Sequence, residues 1–219
     1  MAVFFDATKE GIENTTPNYY PIHDFSKQGR YFGYASANID DTTRLSFISG
    51  SFTGRYQISN TPGQTPSFTA FGISNFPSEL INENQIERNY YNVAAIQKSV
   101  GDIDAQLSYF SRLSSVRFTP DLLGDLLYTG IATDIYRSSL LNGVQGDVAY
   151  RVHPAHRLRF GFIGSAEKTH VANSSTLLPL DDGATRWTRP SACSTKAASS
   201  AGCSAPMRRT SGASQRRSR

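Results

Sequence analysis

The stretch Gly143-Val144-Gln145-Gly146-Asp147-Val148-Ala149-Tyr150-Arg151-Val152-His153-Pro154-Ala155-His156-Arg157-Leu158-Arg159-Phe160-Gly161-Phe162-Ile163-Gly164-Ser165-Ala166-Glu167 decides the fold. Val144, Gly146, Val148, Tyr150 and Val152 alternate with Gly143, Gln145, Asp147, Ala149 and Arg151. After the short turn His153–His156, Leu158, Phe160, Phe162, Gly164 and Ala166 alternate with Arg157, Arg159, Gly161, Ile163, Ser165 and Glu167. A period of two with one apolar and one polar set is the mark of a strand whose two faces meet different media.

Two further pairs of segments carry the same signal. Gln85–Ser99 and Ile103–Arg112 flank the turn Val100-Gly101-Asp102. Glu87, Asn89, Tyr91, Val93 and Ala95 share one face, and Arg88, Tyr90, Asn92, Ala94 and Ile96 share the other. On return, Ile103, Ala105, Leu107 and Tyr109 oppose Asp104, Gln106, Ser108, Phe110 and Arg112. Tyr31–Ile39 alternates weakly. It leads through Asp40-Asp41-Thr42-Thr43 into a segment where Arg44, Ser46, Ile48 and Gly50 alternate with Leu45, Phe47 and Ser49. The expectation is an all-β, antiparallel, up-and-down transmembrane β-barrel segment of six strands in three hairpins.

The physical case for a membrane is the polar set: Asp104, Gln106, Arg112, Gln145, Asp147, Arg151, Arg157, Arg159 and Glu167. Burying that row in a soluble core costs several kcal/mol per unpaired ion. Facing a wet lumen, with apolar neighbours turned to lipid, it costs little. Short turns also alternate with long connectors at 53–84 and 113–137, as in barrels with short turns at one rim and long loops at the other. The apolar run Leu122–Leu127 in the second connector suits packing on a barrel mouth or a short helix.

Bulk properties divide the chain. Hydrophobic residues are 38%, below the usual share of roughly 45–50%, while Tyr and Phe number 11 and 13. The net charge of +4 is misleading. Residues 1–182 hold all 18 acidic and 14 basic side chains, a net −4, and the remainder holds eight basic ones. Cys193 and Cys203 both lie in the basic part, so Cys-based metal or disulfide chemistry is excluded from the first 182 residues. No apolar run reaches the roughly 18 residues of a membrane helix. Met1–Asp6 shows no basic-then-apolar leader.

Several segments resemble bacterial TonB-dependent outer-membrane receptors. They are Asp41–Ile48, Gln97–Ser99, Tyr109–Arg112, Asp121–Leu126, Arg137–Gly143 and Ser165–Thr169, within roughly residues 3–182. The resemblance implies a place in the outer membrane, with lipid around it. It also implies uptake of a siderophore–iron complex, cobalamin or a similar scarce nutrient, driven by an inner-membrane TonB energy complex. Such receptors carry a plug and a TonB contact box, in barrels of about 22 strands. Neither plug nor box is identifiable here, and the chain ends in Arg219 where the family usually has an aromatic residue. Residues 1–183 are therefore expected to be part of such a barrel and not to transport alone. The isolated chain is expected to aggregate through open edges.

Residues 184–219 are mainly Ser, Ala, Arg and Thr, with Trp187 and no alternation. The leading reading is out-of-frame translation from a broken gene. A disordered basic linker comes next and a nucleic-acid arm last, so no nucleic-acid partner is expected. Elsewhere ordinary turn chemistry outweighs metal binding at His153 and His156, and calcium binding at Asp40-Asp41 or Asp181-Asp182. No Gly-x-Ser-x-Gly elbow, phosphate-binding loop or dinucleotide fingerprint occurs, and Ser49-Gly50-Ser51 lacks the context of a nucleophile. No catalytic, cofactor or metal residue is assigned, the chain is not expected to be an enzyme, and ligand-binding residues are left open. The rivals are a soluble all-β binding module and a two-carboxylate glycosidase.

Overall fold

The structure, a computed structural model, describes residues 2–11, 23, 25–178 and 191–212. Among these residues eight strands form one open sheet: β1 (Ala2–Gly11), β2 (Phe25–Asp40), β3 (Thr43–Gln57), β4 (Asn84–Val100), β5 (Ile103–Thr119), β6 (Ile131–His153), β7 (His156–Leu177) and β8 (Ser191–Gly212). Their spatial order is their chain order, and every neighbouring pair is antiparallel. One short helix, α1 (Leu122–Tyr128), lies between β5 and β6.

The three expected hairpins are present as β2–β3, β4–β5 and β6–β7. Each tight turn has a local cause. Asp40 accepts hydrogen bonds from the Thr42 amide (2.8 Å) and hydroxyl (2.7 Å). Gly101 takes φ +56°, which a side chain would resist. Pro154 sets the last turn, where His153 Nδ1 accepts the Ala155 amide at 3.2 Å.

Three expectations need correction. The sheet has eight strands and not six. In β1 the adjacent Phe4 and Phe5 blur the alternation, so its strand signal is weak. In β8 small Ser and Ala residues supply backbone pairing without side-chain contrast, yet Ser191–Gly212 is in register with the whole of β7. That strand also replaces the unstructured tail expected there; residues 184–190 and 213–219 lie outside the described residues. The strands are also longer than their alternation. β3 runs to Gln57, β5 to Thr119 and β7 to Leu177, and β6 starts at Ile131. The long connectors accordingly shrink to 58–83 and 120–130. Near these ends polar residues occupy both faces, as in the pairs Ser114–Ser139 and Ser115–Ser138, so the pattern ends before the strand does.

At the end opposite the tight turns, these connectors pack on each other. Ala70, Leu126, Leu127, Ala132 and Leu178 are buried together, with Phe68, Phe76, Leu123 and Tyr128 against them. Asp121 caps α1 by accepting the Gly124 amide (2.9 Å), and its other oxygen accepts the Asn82 amide (3.0 Å). The Leu127 carbonyl accepts the amides of Ser67 and Phe68, each at 2.9 Å. Asn60 Nδ2 donates to the carbonyls of Ser78, Glu79 and Ile81 at 2.9–3.1 Å.

Within the sheet, aromatic rings lie over glycines of neighbouring strands. A Cβ at Gly143 would overlap the ring of Phe110, whereas one at Gly164 would meet nothing within 4 Å. Gly143→Ala is expected to destabilise the fold by about 1–3 kcal/mol through overpacking. Gly164→Ala should be neutral or slightly stabilising. Denaturation midpoints of the two variants side by side check this, and equal midpoints would contradict the packing described.

Candidate functional site

The strand register sorts the side chains into two faces. Rows of partners on the first face read Val100–Ile103–Tyr150–Leu158, then Ile96–Leu107–Gly146–Phe162, then Ala94–Tyr109–Val144–Gly164. Leu45 and Phe47 of β3 extend the last two rows. Nothing among the described residues covers this face: Leu107 is 49% exposed, Phe160 51% and Phe162 53%. Small residues leave a depression of about 610 Å³ there, with Ala35, Ala37 and Ala94 low between Phe47, Leu107 and Tyr109.

This apolar band ends where the strands continue. The row Ser51–Tyr90–Leu113–Leu140–Lys168, apolar at its centre and polar at both ends, is its last, and the next reads Arg88–Ser115–Ser138–His170. Beyond it Arg117 and Asp134 form an ion pair at 3.0 Å. From Tyr90 to Val100 the band is 11 residues deep. Inside it the row Ser49–Asn92–Ser111–Asn142 is polar, and the row Lys98–Ala105–Val148–Phe160 carries a charge at Lys98, whose ammonium donates to the Thr43 hydroxyl at 3.2 Å.

The opposite face collects all nine polar residues expected to point inward, Asp104, Gln106, Arg112, Gln145, Asp147, Arg151, Arg157, Arg159 and Glu167. They form a hydrogen-bonded surface. Asp104 pairs with Arg157 across β6 and accepts from Ser99 at 2.7 Å. Gln97 donates to Gln106 at 2.7 Å and Gln145 to Asp147 at 3.0 Å. All of these side chains but Gln145, together with Arg159, line a second cavity of about 610 Å³. Arg151 stands opposite Arg157 in the register, a like-charge pair that Asp104 offsets.

The individual sites weighed from sequence fall as follows. His153 and His156 have ring centroids 5.8 Å apart at the turn. His23 meets the Glu79 carbonyl through Nε2 at 2.9 Å, and His170 stacks near Tyr136. Among the described residues no group of three or more His, Cys, Asp or Glu is placed to hold a metal ion. Asp40 serves its turn, and Asp181-Asp182 lie outside the described residues. Ser49 and Ser51 sit within strand β3. Tyr90 and Tyr109 lie on the apolar face, Tyr91 and Phe110 on the polar one.

One residue escaped the sequence reading. Asp125 lies buried in α1, inside the run Leu122–Leu127. Burial pushes its carboxyl up to about 8, and the neighbouring Glu83 and then Asp121 carboxyls act in the same direction. The only sequence signal was an acid inside an apolar run.

No known protein family, curated protein or solved structure matches the chain. The fold itself therefore defines its class: an all-β protein built, among the described residues, on one open antiparallel sheet of eight strands in sequential order.

The Asp125 environment has a consequence for pH. The folded cap holds a proton that the unfolded chain releases near the ordinary value of 3.8. The native form thus binds more protons between about pH 4 and 8, so cap stability falls across that window as pH rises, then levels off. Hydrogen exchange at the Leu126 and Leu127 amides, corrected for intrinsic rates, should show protection declining over that range. Asp125→Asn should flatten the profile; an unchanged profile would remove Asp125 as its origin.

Proposed function

We propose that the chain forms part of the wall of an outer-membrane β-barrel of the TonB-dependent receptor type, with lipid against the apolar face and water against the polar face. The observation that carries this reading is the uncovered apolar band. An isolated sheet leaving Leu107, Phe160 and Phe162 half exposed to water forfeits about 0.8–1.5 kcal/mol per side chain. A hydrocarbon layer removes that loss without a second protein layer. Eleven residues at about 3.3 Å each, tilted about 45°, rise roughly 26 Å, close to the ~25 Å apolar belt of such barrels.

The free edges of β1 and β8 set a condition. Unpaired backbone groups are not tolerated in hydrocarbon. Working as a barrel wall, this sheet needs further strands to close it. It serves, on this reading, as a structural and loop-bearing part of a transporter and performs no catalysis. The cargo class is a siderophore–iron complex, cobalamin or a comparable scarce nutrient, taken up with the inner-membrane TonB complex supplying energy. This part rests on the resemblance of Asp41–Ile48, Asp121–Leu126 and the other segments named above.

Two measurements test the proposal. Membrane fractionation with heat-modifiable gel mobility should place the closed barrel that contains this chain in the outer membrane as a compact, heat-sensitive species. A soluble monomer with unmodified mobility would sink the reading. Substitution separates the faces more finely. Leu107→Arg should cost about 2–4 kcal/mol of folding stability in lipid, while Gln106→Arg, one residue away on the wet face, should be tolerated. Equal effects at both positions would argue against a membrane on one side only.

A further inference from the structure

Positive charge gathers at the cap-side edge of the apolar band. Lys27, Arg55, Ile86 and Arg117 are consecutive cross-strand partners on β2 to β5. Arg88 lies two residues from Ile86 on β4, opposite Thr53 and Ser115. Arg55 and Arg117 therefore flank Ile86, and Arg88 stands diagonal to both on the same face. Diagonal neighbours of this kind are within reach of long side chains. Arg55 and Arg88 are exposed, and among the described residues neither has an ion-pair or hydrogen-bond partner. Arg117 pairs with Asp134, yet its side chain stays 58% exposed. From β2 to β7 no Asp or Glu occurs in the register rows through Ile86 and Arg88. Lys27 and Arg55 are direct partners of like charge, which costs stability without an anion beside them. The opposite edge of the band differs. Its row Thr43–Lys98–Ala105–Val148–Phe160 holds one cation, which donates to Thr43.

We propose that Arg55, Arg88 and Arg117 bind the phosphate of an anionic lipid in the leaflet on the cap side, with Lys27 at the rim of the site. The proposal rests on the barrel-wall reading above. A guanidinium donates two parallel hydrogen bonds to phosphate oxygens, and three guanidiniums against the Asp134 carboxylate leave two positive charges to be met. Depth favours a lipid over a soluble anion. Arg88 lies two residues beyond Tyr90, which belongs to the last row of the band. At about 3.3 Å per residue and a tilt of about 45°, that is a rise of roughly 5 Å, within a headgroup layer about 5–8 Å thick. Tyr90 and Leu113, 42% and 41% exposed, offer an apolar surface just below for the acyl chains. A soluble anion would use the arginines alone, whereas a lipid uses both parts of this surface. Basic side chains at the membrane surface attract anionic headgroups in this way.

The experiment uses the closed barrel that contains this chain, reconstituted in vesicles of equal phosphatidylglycerol and phosphatidylcholine. With Cys193 and Cys203 changed to Ser, a benzophenone is attached at Ser115→Cys, beside the arginines, or at Phe162→Cys, in the middle of the band. Mass spectrometry after illumination identifies the lipid captured. At position 115 phosphatidylglycerol should exceed phosphatidylcholine about tenfold, and at position 162 the two should be captured equally. Arg55→Gln, Arg88→Gln and Arg117→Gln together should bring the ratio at 115 close to one. Capture at 162 should be unchanged in that variant, which shows that it still inserts. Equal capture of the two lipids at 115 with the arginines in place would overturn the headgroup site and leave the barrel wall standing. An excess of phosphatidylglycerol that survives in the triple variant would do the same. Capture of protein in place of lipid at 115 would give the surface to a protein partner and also overturn the proposal. No lipid captured at 162 would overturn the barrel reading and the site with it.

Discussion

An apolar side chain on the first face of this sheet meets whatever medium lies outside it, because among the described residues no second layer intervenes. Soluble sheets pair with helices or another sheet, and the protein interior then supplies the apolar surroundings. Here the buried hydrophobic residues are few, and most belong to the cap and not to the sheet. Backbone hydrogen bonds hold the eight strands in register, but they do not repay the exposure of Leu107, Phe160 and Phe162. The band's depth, its boundary at Arg88 and His170, and the charged opposite face all follow from one requirement. On the proposed reading, the two faces meet solvents of different polarity.

The parts of the structure legible in the sequence are those where the two faces differ in polarity. Along Gly143–Glu167 and Ile103–Arg112 most large apolar residues alternate with polar or small ones, and the register places the two sets on opposite faces. The same principle explains what was missed. The outer halves of β5, β6 and β7 contain Ser114, Ser115, Ser138, Ser139 and Thr169, residues suited to water on both sides. They keep strand pairing but lose the pattern that announces it. Strand β8 is an extreme case, since Ser and Ala offer no contrast at all and the edge of β7 determines the pairing.

The cap was harder to read for a different reason. Its order comes from contacts between segments far apart in the chain, such as Asp121 with Asn82 and Tyr128 with the Phe76 carbonyl at 2.6 Å. Local sequence marked Leu122–Leu127 as apolar but gave no partner for it. Asp125 is intelligible only once Glu83 is known to lie beside it. The polar row Ser49–Asn92–Ser111–Asn142 was hidden in the same way. Each residue is unremarkable on its own strand, and only the register aligns them.

Strand β6 runs from Ile131 to His153, and its apolar band ends at Leu140. On the proposed reading, the nine residues from Ile131 to Ser139 extend about 30 Å past the hydrocarbon along the strand. The headgroup layer, about 5–8 Å thick, takes up only about 7–11 Å of that span at a tilt of about 45°. The paired ends of β5, β6 and β7 therefore act as a stalk that lifts the cap clear of the lipid surface. Large macromolecules approaching an intact cell, antibodies and proteases among them, would reach the cap before they touched the membrane.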